Sequence, residues 1–309
     1  MGLPVTVYRY TDAGAPQIVS GTPTEWINVL KKVLVEGYGA KSPLGWTLEF
    51  ENVGVRSVAF RNATTEGGSG GYVKFYSTDG SNTAYKTLGM KCAMGMTDID
   101  TYFKPLWARG FTPSSNHKGW EVIGTKRGFY LILHYTGNLL MGLSGYGSDT
   151  QVYFIGDIHS VSINDTCPFT IISGTANTSD NTSSSGITDY SGTALAAQMY
   201  AVDGSNTSIM YTFSKGYAYK NSSGYDGNAE SLGINHLMIQ VQIYGAPSQN
   251  NSPQLPFGRG VVPGLYMSSF AGYRTESWPK ELIQDTVTWA LLRSYSSPQF
   301  WISLGDWYD

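Results

Sequence analysis

The sequence predicts a mainly β fold of antiparallel sheets, sandwich-like, with one clear amino-terminal helix and long polar loops. Three observations point there. Short apolar segments alternate with turn residues along most of the chain, and 37 Gly and 13 Pro punctuate its 309 residues. Helical spacing of apolar residues is clear in one early segment only. The aromatic content is high, with 22 Tyr, 12 Phe and 8 Trp, and Tyr is a residue that sheets favour.

Val5 to Tyr8 alternates in polarity and precedes the turn residues Thr11 to Pro16, which predicts an edge strand leading into a loop. Thr22-Pro23-Thr24-Glu25 has the form of a capping box. Thr stands at the N-cap, Pro at the first helical position, and Glu at N3, where its carboxylate reaches back to the Thr22 amide. Trp26, Ile27, Leu30, Val33 and Leu34 follow at helical spacing, and Gly37-Tyr38-Gly39 stops the helix, which therefore spans about 23–36.

Strands separated by Gly-rich or Ser/Thr/Asn-rich turns are predicted over 45–50, 56–61, 71–76, 86–90, 120–123, 129–134, 152–158 and 169–173. Gly124 to Gly128 reads as a basic hairpin turn. Asp79-Gly80 and Asp203-Gly204 are hairpin signals, both within the phrase Asp-Gly-Ser-Asn-Thr, which reads as turn chemistry used twice. Residues 173–186 hold no large apolar side chain and predict an exposed polar loop or linker. Polar tracts at 221–228 and 248–256 bracket a strand over 234–244, and 278–291 reads as a short helix, with a strand over 286–292 as the equal alternative. The expected organisation is a β-rich domain over 1–172, the polar tract 173–186, and a β-rich region over 187–309.

Composition limits the function classes. Charged residues make up 14% and the net charge is −3, which leaves no basic excess for a nucleic-acid partner. The longest apolar runs fall far short of the ~20 residues that cross a bilayer, so no membrane insertion is expected. Met1 to Tyr10 lacks the features of a secretory signal, which predicts folding in the cytosol of the cell that makes the chain. Cys92 and Cys167 are too few for a disulfide scaffold and are expected as reduced thiols.

A search for chemistry assigns no catalytic, cofactor-binding or metal-binding residue. Gly142-Leu143-Ser144-Gly145-Tyr146 carries Tyr where a nucleophile elbow needs Gly. The pairs Glu49/Glu51 and Asp98/Asp100 sit at alternate positions, which more often marks a solvated face than an acid and base pair. Asp157 and His159 read as a hydrogen-bonded pair at a strand end. His117, His134, His159 and His236 are scattered without ligand spacing. The surplus of Tyr, Gly, Ser and Asn suits adaptable protein or glycan contacts.

Several runs resemble signatures of a family of virion structural proteins of tailed bacteriophages. The first are Tyr8 to Pro16, Leu34 to Lys41 and Gly45 to Phe50, followed by Arg127 to Leu131, Tyr153 to Ile158 and Arg259 to Tyr266. The resemblance implies a non-catalytic head-decoration, neck, collar or tail component and supplies no catalytic residues. The expected role is therefore structural: a chain made in the host cytoplasm, built into the virion, homo-oligomeric, and bound to other virion proteins. Tyr38, Tyr146, Tyr225 and Trp307 are the candidate interface residues. The alternative is a receptor- or glycan-binding virion module, and a polysaccharide-degrading tail enzyme comes third.

Overall fold

The fold is that of a computed structural model, which describes residues 2–143, 150–174, 178–188, 195–213, 235–245, 253–268, 272–295 and 298–309. β1 (Thr6–Arg9) precedes α1 (Pro23–Lys31), which runs on as a π-helical turn over Lys32–Glu36. β2 (Thr47–Asn52), β3 (Ser57–Arg61), β4 (Tyr72–Ser77), β5 (Leu88–Asp98), β6 (Thr101–Pro105) and β7 (Arg109–Phe111) come next. They are followed by β8 (His117–Gly124), β9 (Gly128–Tyr135), β10 (Gly142–Leu143), β11 (Thr150–Asp157), β12 (His159–Ser160) and β13 (Phe169–Ile172). The last group is β14 (Ala196–Tyr200), β15 (Ser208–Phe213), β16 (Met238–Gly245), β17 (Gly258–Ser268), β18 (Glu281–Gln284), β19 (Val287–Leu291), β20 (Ser294–Tyr295) and β21 (Phe300–Ser303).

Three antiparallel sheets result. The first has the order β2-β3-β4-β5-β6, with β7 also on β5. The central sheet runs β1-β8-β9-β11-β13, so β1 is an edge strand, as its sequence suggests. The third runs β14-β15-β16-β17-β21-β19-β18, with β12 on β17. β10 and β20 form a short parallel pair.

Strand alternation sends successive side chains of the central sheet into two different cores. Trp120, Val122, Phe129, Leu131, Leu133, Tyr153 and Ile155 join one core with the apolar faces of α1 and of the first sheet. Ile123, Tyr130, Ile132, Val152 and Phe154 join a second core with the third sheet, including Met199, Tyr211, Ile243 and Leu265. Burial on both sides accounts for the nearly unbroken apolar run of β9, since neither face meets water.

The capping box forms as its sequence predicts. The Thr22 side chain accepts from the Glu25 amide, and the Glu25 carboxylate accepts from the amides of Ser20, Gly21 and Thr22. Trp26, Val29, Leu30, Val33 and Leu34 are buried against the first sheet and the central one, with the Trp26 ring edge-on to Phe111.

The two Asp-Gly-Ser-Asn-Thr phrases fold alike. The Asp79 and Asp203 carboxylates accept from the amides of Ser81 and Ser205, and the Gly80 and Gly204 amides bond to Ser77 and Ala201 carbonyls. Only the glycine of each pair has positive φ, so these are side-chain-capped turns inside longer loops instead of the two-residue hairpins the Asp-Gly signal suggests. No helix forms over 278–291: β19 takes the strand alternative of 286–292, and β18, which the sequence does not predict, pairs with it through Asp285-Thr286, with φ of 51° and 67°.

The polar tract is a loop strapped to its neighbours over its described part. The Asn181 amide bonds to the Ala108 carbonyl at 2.9 Å, the Gly174 amide to the Ser185 carbonyl at 2.8 Å, and just past the tract the Ile187 amide to the Val152 carbonyl at 2.7 Å. Ser184 Oγ accepts from the Gly110 amide and donates to the Gly110 carbonyl. Backbone and hydroxyl hydrogen bonds supply the anchorage that apolar side chains would otherwise provide.

Candidate functional site

The candidate site is a groove beside the carboxyl-terminal residues, and an irregularity of β17 makes it. Gln240 pairs with Tyr266 and Gln242 with Val261, so Val262 to Leu265 stand opposite Val241 alone. Pro263 and Gly264 interrupt the strand here, and such residues favour a bulge over a continuous ladder. Gly264 has φ +69°, and a Cβ on it would lie 2.2 Å from the Trp307 indole nitrogen. The bulge thus leaves room for the Trp307 ring, which is 2% exposed and packs edge-on against Tyr130. Tyr130 donates its hydroxyl to the Pro263 carbonyl at 2.7 Å. Trp307 donates its indole N–H to the Ser303 carbonyl, and its backbone pairs with Leu3.

The resulting groove is about 440 Å³, lined by His159 and Ser160 of β12, by Gln240, Tyr266 and Ser303, and by Asp306, Trp307, Tyr308 and Asp309. Beneath it the buried Asp157 carboxylate accepts from the amide and hydroxyl of Ser69 and lies 3.5 Å from Arg127 Nε. Arg127 stacks over the Tyr308 ring at 4.0 Å, and Tyr308 donates its hydroxyl to the Asp157 carbonyl at 2.7 Å. Burial pushes the Asp157 carboxyl above the ordinary carboxylate range, against the pull of Ser69 and Arg127. Burial and the Arg127 charge hold the His159 imidazole below its ordinary value. The runs 127–131, 153–158 and 259–266, distant in sequence, all contribute to this floor and its support.

A second polar cluster lies sealed between the central and third sheets. Glu121 Oε1 accepts from Arg9 Nε at 2.7 Å, and its Oε2 faces His134 Nε2 at 3.3 Å and the Trp278 indole nitrogen at 3.2 Å. Burial alone would raise the Glu121 carboxyl, but His134 and the Arg9 charge hold it below the ordinary range. Burial lowers His134. Its Nδ1 has no partner among the described residues, so a neutral ring protonated on Nε2 fits the site best.

Two expected interface residues turn out to be packing residues. Tyr38 is 8% exposed, its ring edge-on to Tyr8 and Trp120 and its hydroxyl donating to Asp12 at 2.8 Å. Trp307 is the buried floor just described. Large aromatic rings gain more from burial than from exposure, and both polar tips find internal partners. Tyr146, Tyr225 and the Ser144 of the Gly-x-Ser run lie outside the described residues.

The acid pairs read from sequence are separate surface features. Glu49 accepts from Thr47 and Glu51 pairs with Lys31. Asp100 pairs with Lys74, and Asp98 accepts from the Asp100 amide. Asp157 takes Ser69 and Arg127 as partners, so the hydrogen bond expected with His159 does not form. The four histidines occupy four separate settings: His117 meets Ser114, His134 meets Glu121, His159 lies by Tyr308, and His236 bonds to Ser268 and Tyr273. Cys92 and Cys167 are buried free thiols. Sequence reasoning missed Glu121, Tyr266, Asp306 and Asp309. Only Glu121 carried a signal, as a lone acid inside the apolar run Trp120 to Ile123.

No family model matches the chain, and no curated protein shows significant similarity to it.

Proposed function

We propose that this chain is a non-enzymatic structural component of a tailed-phage particle, a head-decoration, collar or tail protein that assembles as a homo-oligomer and binds other virion proteins. The resemblance of its sequence runs to virion structural proteins supports this reading. So does the way its buried polar groups are used, as ties between segments far apart in the chain. Arg9 reaches Glu121, Tyr130 reaches Pro263, and Lys104 donates to the Gly204 and Ser205 carbonyls. Such cross-ties suit a rigid block.

The observation that carries the reading is an exposed apolar rim on that block. Val53 is 72% and Val19 66% exposed, and Val55 and Tyr85 are exposed too, in three loops linked by hydrogen bonds. Arg56 donates to the Gly80 carbonyl, and the Tyr85 amide to the Gly21 carbonyl. Exposed apolar side chains on loops tied together in this way suit a contact surface.

Reconstruction of the particle tests the reading. The chain is expected at a defined symmetry position, and a Val53→Asp, Val55→Asp double variant is expected to fold yet be lost from particles. Absence of the chain from purified particles, or turnover of a host polymer by the purified protein, would remove the proposal.

A further inference from the structure

We propose that the groove beside the carboxyl-terminal residues binds an uncharged saccharide of one or two rings, a function beyond the architectural role and independent of it. Ser160, Ser303, Trp307 and Tyr308 of the lining spend their polar groups internally, and five other polar side chains of the groove do not. Asp306, Asp309, His159, Gln240 and Tyr266 make no side-chain hydrogen bond or ion pair among the described residues. This contrasts with the cross-tied polar groups elsewhere in the fold, and it leaves donors and acceptors facing the same space.

The balance of those groups selects the ligand class. The two carboxylates accept only, the Tyr266 hydroxyl and the Gln240 amide both donate and accept, and neutral His159 offers one nitrogen of each kind. A cation would use the carboxylates and leave the donors idle. An anion would face two acids, with no Lys or Arg among the described residues of the lining. A polyol donates and accepts at every hydroxyl and so can satisfy both sets. The aromatic side of the groove adds an apolar face for a sugar ring, with Tyr266 held edge-on against Trp289 at 4.8 Å. A volume of about 440 Å³ is within the range of small-molecule sites.

The acids are held in place by backbone. A Cβ on Gly2 would lie 2.6 Å from the Asp306 Cβ and 2.4 Å from an Asp309 carboxylate oxygen, so both acids rest against this glycine. The amino-terminal segment thereby braces the rim, and the Leu3–Trp307 pairing fixes it in register.

Saturation-transfer difference NMR on the full chain, with glucose, galactose, rhamnose and N-acetylglucosamine as probes, tests the inference, alongside an array of bacterial surface glycans. At least one saccharide is expected to bind. An Asp306→Ala, Asp309→Ala double variant and a Gln240→Ala variant, all at groups without internal hydrogen bonds, are expected to keep the wild-type melting temperature and to weaken binding about tenfold or more. Failure of every saccharide to bind, binding unchanged in both variants, or displacement of the sugar by oligolysine would overturn it. Loss of sugar binding leaves particle incorporation as a separate readout of the architectural role.

Discussion

Arg9 Nε and Glu121 Oε1 lie 2.7 Å apart across the β1–β8 edge of the central sheet, with side chains 19% and 5% exposed. Arg9 also reaches Glu281 at 2.6 Å, so one guanidinium ties the central sheet to β18 of the third. Removing one partner of such a pair leaves a charge in a place built for two. Glu121→Ala is expected to cost about 3 kcal/mol in urea unfolding, while Glu281→Ala, at the more exposed contact, should cost under about 1 kcal/mol. Equal losses in the two variants would contradict this account.

The His134 ring gives stability a pH dependence. Its folded value is lowered by burial, so below the unfolded value of about 6.5 the unfolded chain takes up a proton that the folded one resists. Stability is therefore expected to fall as pH drops from about 6.5 towards the folded value. His134→Gln should flatten the slope between about pH 7 and pH 5 when unfolding midpoints are compared across that range.

The β18–β19 hairpin turns through Asp285 and Thr286, both in left-handed conformation. A β-branched residue is strained there, and glycine is not. Thr286→Gly is expected to stabilise the protein by about 0.5–1 kcal/mol, read as a raised melting temperature. A lowered one would mean that the Thr286 side chain contributes more than its backbone costs.

Gly264 admits the Trp307 ring, and alanine there combines a positive φ with a 2.2 Å clash. Gly264→Ala is expected to cost about 2–3 kcal/mol and to change the intrinsic fluorescence of the folded state as the indole shifts. An unchanged melting curve would show that the bulge relaxes freely.

Many strands before residue 173 were legible because alternation and turn chemistry are local, whereas β6, β7, β14, β15, β17 and β21 were not read from the sequence. The helix was legible because its cap, its apolar stripe and its terminating glycines agree. The hairpin at Asp285-Thr286 was not, since neither residue is the glycine that usually announces such a turn. The groove was invisible for another reason: its lining comes from β12, β16, β17 and the residues after β21, and no spacing rule brings those together. Tyr38 and Trp307 show the same gap from the other side. The sequence offers both as candidate contacts, and only the fold reveals that Asp12 and Ser303 have already engaged the two polar tips.

A sheet shared by two cores has a consequence for how the molecule can be cut. A fragment ending near residue 172 would bare Tyr130, Ile132 and Phe154 to solvent, and the complementary piece would lose the wall its own interior is built on. Neither half is expected to survive alone as a soluble product, and heating the intact chain should melt both halves in one transition.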